Sequence, residues 1–457
     1  MGLKQPDEQP IIDPTESGHH KAYWTRWYVM AMVSLANILN NNQWAYWGPI
    51  AQSAKTVYGW TDNTIFILTN LGNGAAFLST LAGCYFVDRK GIRISILVCY
   101  SLMVLSTASK VFTTESYPAT ILIGFGQVFN GVATSVTGAI PPAVSEVWFP
   151  SKERTTATAI AALAAGFGAA TSFIIGPSAV DMPAMNGSTV LLNETDVSAI
   201  RTQISHLNYA EFGVSLALLL ACLIYLPAKP PTPPSLTATC SRYDFKQGIL
   251  TLIRRPKMWH IGLMYGVAVG SYGSWSSVFD IIVNPLGITQ SEAGWIGFYG
   301  GVAGVLGGIA MGRVADTFKR RMKLLLIILC ISAALLFGWF TFQCNDILPR
   351  SKATLYIAAI SANVLITATM PIFIEISCET SYPIAEGLTA GFLSMVITLT
   401  ATVYLLINLI PSIGNAWMNW WVTGVFLLVV PLIGVFKVTY QRVDIDSGLT
   451  EHPKDVN

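Results

Sequence analysis

Residues 323–343 read KLLLIILCISAALLFGWFTFQ, a single charge at the edge of an unbroken apolar run. At the rise of an α-helix, such a run covers about 30 Å, the thickness of a bilayer's hydrocarbon layer. Eleven further stretches pass the same test. Together the spans run over 27–49, 64–86, 94–112, 119–141, 156–178 and 208–227, then 258–283, 292–314, 323–343, 353–376, 387–409 and 417–437. Composition agrees, since 53% of the 457 residues are hydrophobic and only 11% are charged, against about 25% charged in soluble domains. The 38 glycines suit helices that approach closely in lipid. The expectation is an all-α membrane protein with twelve transmembrane helices.

Pro230, Pro231, Pro233 and Pro234 lie between the sixth and seventh spans. A cluster of this kind cannot be a helix interior and reads as a linker. The chain therefore divides into a polar tail (1–25), a six-helix bundle (26–228), a linker (229–256), a second six-helix bundle (257–437) and a second tail (438–457). The first 25 residues lack the early apolar core of a cleaved signal peptide. With both termini in the cytosol, only Lys55, Lys110, Arg201, Arg350 and Lys352 of the 27 basic residues fall on the far side. That asymmetry follows the positive-inside rule. The same topology puts two glycosylation sequons, at Asn186 and Asn193, in the lumenal loop 179–207.

Several classes drop out. A net charge of +2 gives no footing for nucleic acid. The seven cysteines show no CxxC spacing and read as packing residues, so neither a metal site nor a disulfide framework is expected. Without a nucleophile–base motif or a Walker lysine, the chain is read as neither an enzyme nor an ATP-driven pump, and no cofactor is expected.

Asp88-Arg89-Lys90-Gly91-Ile92-Arg93 follows the second span, and Gly312-Arg313-Val314-Ala315-Asp316, with Arg320-Arg321, follows the eighth. Both resemble the Gly-x-x-x-Asp-(Arg)-x-Gly-x-Arg loop of the major facilitator superfamily, with Cys84 and Lys319 standing where that pattern has glycine. The resemblance implies two six-helix halves related by a pseudo-two-fold axis along the membrane normal. It also implies a cytosolic gate containing Asp88, Arg89, Arg93, Asp316 and Arg320. Glu146, Glu379 and Glu386, at cytosolic helix ends, read as gate residues that pair with loop arginines such as Arg154.

Finer resemblance lies in WAYWGPI (44–50), WFP (148–150) with ERTTATA (153–159), YAEFG (209–213) and AGWIGF (293–298). It continues in PIFIE (371–375), running into ETSYP (379–383) and EG (386–387). These blocks resemble solute carrier family 49, and WGPI and AGWIGF point to its lysosomal branch. The resemblance implies a carrier of small amines or vitamins: choline and ethanolamine for the receptor-related members, haem for some, and pyridoxine leaving lysosomes for the lysosomal branch. Trp44 matches a Trp that lines the receptor-related members' choline site, and Tyr272 lies near their helix-seven aromatic. Gly166 stands at about the place of that site's Gln.

Trp44 and Trp47 lie three apart in the first span, and Tyr272 and Trp275 repeat the spacing in the seventh. Such pairs share a helix face and can stack on a flat ring or hold a cation; they can equally be packing or interfacial aromatics. The intramembrane acids Asp280, Glu211 and Glu375 are candidates for proton coupling. Carboxyls inside spans are costly and functional, and burial disfavours their charged form. Glu375 is favoured because it belongs to the most specific block, while Asp280 is better placed to meet lumenal protons. A water-filled vestibule or a helix cap is the alternative for each.

In the tail, Asp7, Ile11 and Ile12 resemble an acidic dileucine signal, which would be read by a clathrin adaptor and route the protein to lysosomes. The leading expectation is a monomeric, proton-coupled exporter of a small solute such as pyridoxine. A facilitative choline, ethanolamine or haem transporter at the plasma membrane and a transport-inactive receptor on the same scaffold stay open.

Overall fold

The computed structural model describes residues 23–150, 153–183, 185–186, 189–190, 194–232, 245–318, 321–349, 351–381, 384, 386–410 and 413–438. The first half holds α1 (Thr25–Trp44), α2 (Ala51–Tyr58), α3 (Asp62–Lys90), α4 (Ile92–Ser109), α5 (Ser116–Trp148), α6 (Arg154–Ala179) and α7 (Glu194–Ile224). After α8 (Phe245–Arg254), within the expected linker, the second half holds α9 (Pro256–Tyr265), α10 (Ser271–Ser277), α11 (Phe279–Val283) and α12 (Gln290–Thr317). It ends with α13 (Met322–Cys344), α14 (Lys352–Ser381), α15 (Glu386–Ile407) and α16 (Trp417–Val435). One face of the bundle carries the described chain ends and is called the tail face. The other, the loop face, carries the connection between α6 and α7.

Ten of these helices are long and apolar enough to cross a membrane. The other two of the twelve spans are α1 with α2, and α9 to α11, the first span of each half. In the first, Asn37, Asn40, Asn41, Asn42 and Gln43 make the last turns of α1 polar, the helix ends at Trp44, and the chain passes through Gly48-Pro49 before α2 begins. In the second, a π-helical turn at Gly266–Gly270 joins α9 to α10. Both end glycines of that turn press on α15, where a Cβ would overlap Val396 or Thr400 and Ile397. The Thr400 hydroxyl donates to the Gly266 carbonyl at 2.7 Å, satisfying an acceptor at a place where π geometry disturbs the helical ladder.

Boundaries differ elsewhere too. The sixth span was expected from 208, but α7 begins at Glu194, with Glu194 and Asp196 in its first turn, where acids favour a helix start. It therefore extends into the expected loop 179–207. That loop also holds a two-residue antiparallel pair, Met185–Asn186 with Thr189–Val190.

The halves repeat in detail. From Trp44 and Tyr272 to Arg93 and Arg321 a constant offset of 228, the separation of Gln52 and Asp280, matches the two copies without a gap. Gly59 and Gly287 are partners in this repeat, both at positive φ (67° and 78°), a backbone state glycine adopts without penalty. Two residues on, Thr61 and Thr289 each close a capping box, with Thr64 and Glu292, which satisfies backbone donors at the starts of α3 and α12.

Candidate functional site at the seam between the halves

On the loop face, the two first spans meet. A Cβ on Gly48 would overlap the Ser277 carbonyl, so backbone touches backbone there. One turn further, Gln52 Nε2 donates to Asp280 Oδ2 at 3.0 Å. These residues are equivalent in the repeat, so the bond joins a position to its own copy across the pseudo-two-fold axis. Asp280 is 1% exposed, and its Oδ1 has no hydrogen-bond partner. Ser53 Oγ donates to Gln290 Oε1 at 3.1 Å and lies 2.9 Å from the Asp181 carbonyl, while Gln290 Nε2 donates to the Val180 carbonyl at 3.4 Å.

Beside this polar seam runs a glycine-lined one. On α12, Gly294, Gly297 and Gly301 face Phe173, Pro177 and Ala170 of α6, while Gly300, Gly304 and Gly307 face Asn363, Val364 and Thr367 of α14. Small residues at this spacing let helices approach closely. One helix thus serves the interface between halves with one row and its own half with the other. The apolar core is continuous across the loop face, joining Trp47, Ile50 and Tyr58 to Trp275, Val278 and Phe279. A separate core around Val29, Met103 and Val144 fills the rest of the first half. Toward the tail face, Gly391 of α15 rests on Cys84 of α3, and Gly387 touches Pro142 of α5.

The expected aromatic residues divide. Tyr272 and Trp275 stack at 5.7 Å and 24°, and both lean on Phe337. Trp275 Nε1 donates to Asn419 Oδ1 at 2.7 Å, tying α10 to α16. Trp47 is buried in another cluster, edge-on to Tyr46, Tyr58 and Trp60. Trp44 is half-buried at the end of α1. Among the described residues, no ring contact joins Trp44 to Tyr272.

The acids divide as well. Glu211 is ion-paired with Lys110 at 2.9 Å, the two side chains 6% and 1% exposed. Lys110 Nζ also lies over the Tyr46 ring at 4.0 Å, and the Tyr46 hydroxyl reaches Asn208 Oδ1 at 2.5 Å. Lys110, counted from the sequence with the basic residues on the far side at the end of the third span, is buried inside the first half. The only available hint was its place among the five basic residues on the sparse side. Glu375 is half-buried on α14, one turn past Pro371. A further polar knot, absent from the sequence expectations, links Asn40 of α1 to α5. Asn40 Nδ2 donates to Asn130 Oδ1 at 2.8 Å, and its Oδ1 accepts from the Thr134 and Thr137 hydroxyls at 3.1 and 3.3 Å.

On the tail face Asp88, Arg89 and Arg93 are exposed, with Arg89 over the Tyr85 ring at 5.6 Å. Glu379 is buried at the end of α14, where Arg255 donates to the Ser381 carbonyl at 3.1 Å. The side chains of Glu146, Arg154, Asn186, Asp316 and Glu386 lie outside the described part, as do residues Arg320, Asn193, Asp7, Ile11 and Ile12 entirely. The described ion pair nearest the expected Arg154 latch is Arg26 with Glu153 at 3.1 Å. There the Arg26 guanidinium also lies over Phe149 at 5.5 Å.

Residues 25–404 match the Major Facilitator Superfamily. The Solute carrier family 49 member 4 homolog of Xenopus tropicalis is 36% identical over 453 residues, 98% of this chain and 99% of that protein. The Choline/ethanolamine transporter FLVCR1 of Mus musculus is 26% identical over 443 residues, 93% of this chain and 77% of that protein. Among solved structures, a D-xylose-proton symporter aligns with TM-score 0.67 at 14% identity, covering 91% of this chain and 98% of that one. A bacterial homolog of the human lysosomal transporter Spinster, inward-facing and unoccupied, aligns with TM-score 0.60 at 14% identity, covering 91% and 95%.

Proposed function

Because the chain belongs to the major facilitator superfamily and, within it, to solute carrier family 49, we propose that this transporter is a proton-coupled secondary carrier. In this reading it exports a small, flat, weakly basic solute such as pyridoxine from the lysosome. Both termini are cytosolic and the loop face is lumenal. Asn186 and Asn193 carry glycans, and Asp7, Ile11 and Ile12 address the protein through a clathrin adaptor.

The observation that carries the coupling is Asp280, a buried carboxyl held across the two halves by a neutral amide, with one oxygen unpartnered. Opening the loop face breaks the Gln52 bond and brings Asp280 to lumenal water. Closing it around a carboxylate with an unmet acceptor is costly, because a buried charge without compensation loses its hydration. Once protonated, the same group closes as a neutral pair with Gln52. Closure then moves a proton together with the solute. Glu211 has a cationic partner inside a single half and lacks this property. Asp280 is preferred to Glu375 because Asp280 spans the seam that must open. Trp44 and Tyr272 supply the stacking surfaces for the solute, and removing either weakens binding by about 1–2 kcal/mol.

The test is uptake of radiolabelled pyridoxine and choline at acidic and neutral external pH, with Ile11 and Ile12 replaced by Ala so that the protein reaches the cell surface. Acid-stimulated pyridoxine uptake that loses its pH dependence in Asp280→Asn is the expected result. Choline uptake indifferent to pH would select the facilitative reading, favoured by the relative named a choline/ethanolamine transporter. No uptake of either would select the receptor reading.

A further inference from the structure

Between α1, α6 and α7 lies a cavity of about 250 Å³, lined by residues of the first half alone. Its walls are apolar, with Leu35 and Ile38 from α1 and Val214 and Leu218 from α7. Val214 is 53% exposed, so the wall faces what surrounds the helices, which for a spanning segment is lipid. The cavity's polar groups are Asn42 and Thr171, joined at 3.4 Å, Tyr46, Ser172 and Glu211, set in the half of the cavity nearer the loop face. Glu211 is 8% exposed. Its Oε2 is held by Lys110, and its Oε1 has no hydrogen-bond partner.

The charge balance narrows the ligand. Lys110 already neutralises Glu211, so a second cation at Oε1 would crowd the ammonium. A neutral O–H donor meets the unfilled acceptor without that repulsion, and buried acceptors left empty are costly. Orientation narrows it further. Glu211 and Asn42 lie toward the loop face, while Leu35 and Leu218 lie about two helical turns deeper, toward the middle of the spans. The polar groups therefore lie in the loop-face leaflet and the apolar stretch runs from them toward the middle of the bilayer, matching an amphiphile standing in that leaflet.

We propose that this groove is a binding site for a membrane alcohol of the sterol class. Its single hydroxyl donates to Glu211 Oε1, and its rigid apolar body lies along Leu35, Ile38, Val214 and Leu218. The site is separate from the solute pathway and does not depend on the identity of the transported solute.

The experiment uses the full chain in nanodiscs with a photoreactive sterol, followed by mass spectrometry of the adducts. Adducts concentrated on α1, α6 and α7 and suppressed by excess 3-hydroxysterol are expected. The corresponding 3-methyl ether, which cannot donate, should compete on the order of tenfold less well, the worth of one hydrogen bond to a charged acceptor. Glu211→Gln strands Lys110, so the blocking variant is Ala210→Trp, which fills the groove from an exposed position without touching the ion pair. Checked to melt like the wild type, it should lose the adducts. Equal competition by the ether overturns the proposal, as does undiminished labelling of Ala210→Trp or labelling of the groove by a photoreactive phospholipid and not by the sterol.

Discussion

Two buried acids near the loop face, Glu211 and Asp280, are treated by the fold in opposite ways. Glu211 has a full cation at 2.9 Å, and both partners belong to the first half. Asp280 has only an amide at 3.0 Å, and the partners belong to different halves. A pair inside one rigid body never has to separate during transport, so it can be strong. Between bodies that must part and rejoin, a strong buried ion pair would resist opening. A neutral hydrogen bond, worth about 1 kcal/mol, is weak enough to be remade in every cycle. The difference separates an acid that holds a half together from one that, in the proposed cycle, reports which way the carrier faces.

The largest way to break this comparison is Lys110→Ala, which leaves Glu211 buried without its cation. A loss of about 3–5 kcal/mol is expected, read as a large drop in melting temperature of the purified protein. Lys110→Met with Glu211→Gln should recover most of it. Failure to recover would mean that the pair does more than satisfy itself.

Next is Gly48→Ala, which puts a methyl group into the Ser277 carbonyl. Overpacking of this kind costs about 1–3 kcal/mol, here paid only when the loop face is closed. Cysteine-accessibility labelling should show that face more open, with the fold intact. Unchanged accessibility would remove the close approach from the gating argument.

Smaller still are Thr61→Ala and Thr289→Ala, each losing a capping box worth about 1 kcal/mol. Because the boxes are equivalent in the repeat, the two losses should agree within error in thermal denaturation. Unequal losses would mean that the halves do not share load at this turn.

The smallest stability change belongs to Asp280→Asn, which swaps the neutral carboxyl group of the closed state for an isosteric amide facing Gln52. A shift under about 1 kcal/mol is expected, together with a flat pH profile of uptake. A destabilisation as large as that of Lys110→Ala would place Asp280 with Glu211 as a structural acid.

Much of the fold was legible because hydrocarbon thickness imposes a length and a composition on each span, and residues 323–343 satisfy both on sight. The boundary of α7 was not, because a helix running past the membrane becomes polar there and loses the signal. The two first spans were counted correctly, but the one expected over 27–49 stopped short of α2 and the one over 258–283 was read as continuous. The break at Gly48-Pro49 is written in the residues, whereas the π turn at Gly266–Gly270 depends on how α15 packs against it. At the candidate site, Asp280 was visible as an acid inside a span. Gln52 was not, since an uncharged amide in a half-polar helix carries no cost that sequence reasoning can detect. The pairing of Lys110 was missed for a related reason: at a helix end a lysine serves solvent or a buried pair equally well, and Glu211 is too far along the chain to decide between them.

The two glycine rows of α12 imply that a deep mutational scan would resolve this helix into two stripes. Replacing Gly300, Gly304 or Gly307 disturbs packing within one half, so those variants should be scarce at the level of protein abundance. Replacing Gly294, Gly297 or Gly301 disturbs only the contact with α6 of the other half. Those variants should accumulate normally and be silent as carriers, so that a variant on this helix could be sorted by position alone into a misfolding or a malfunction.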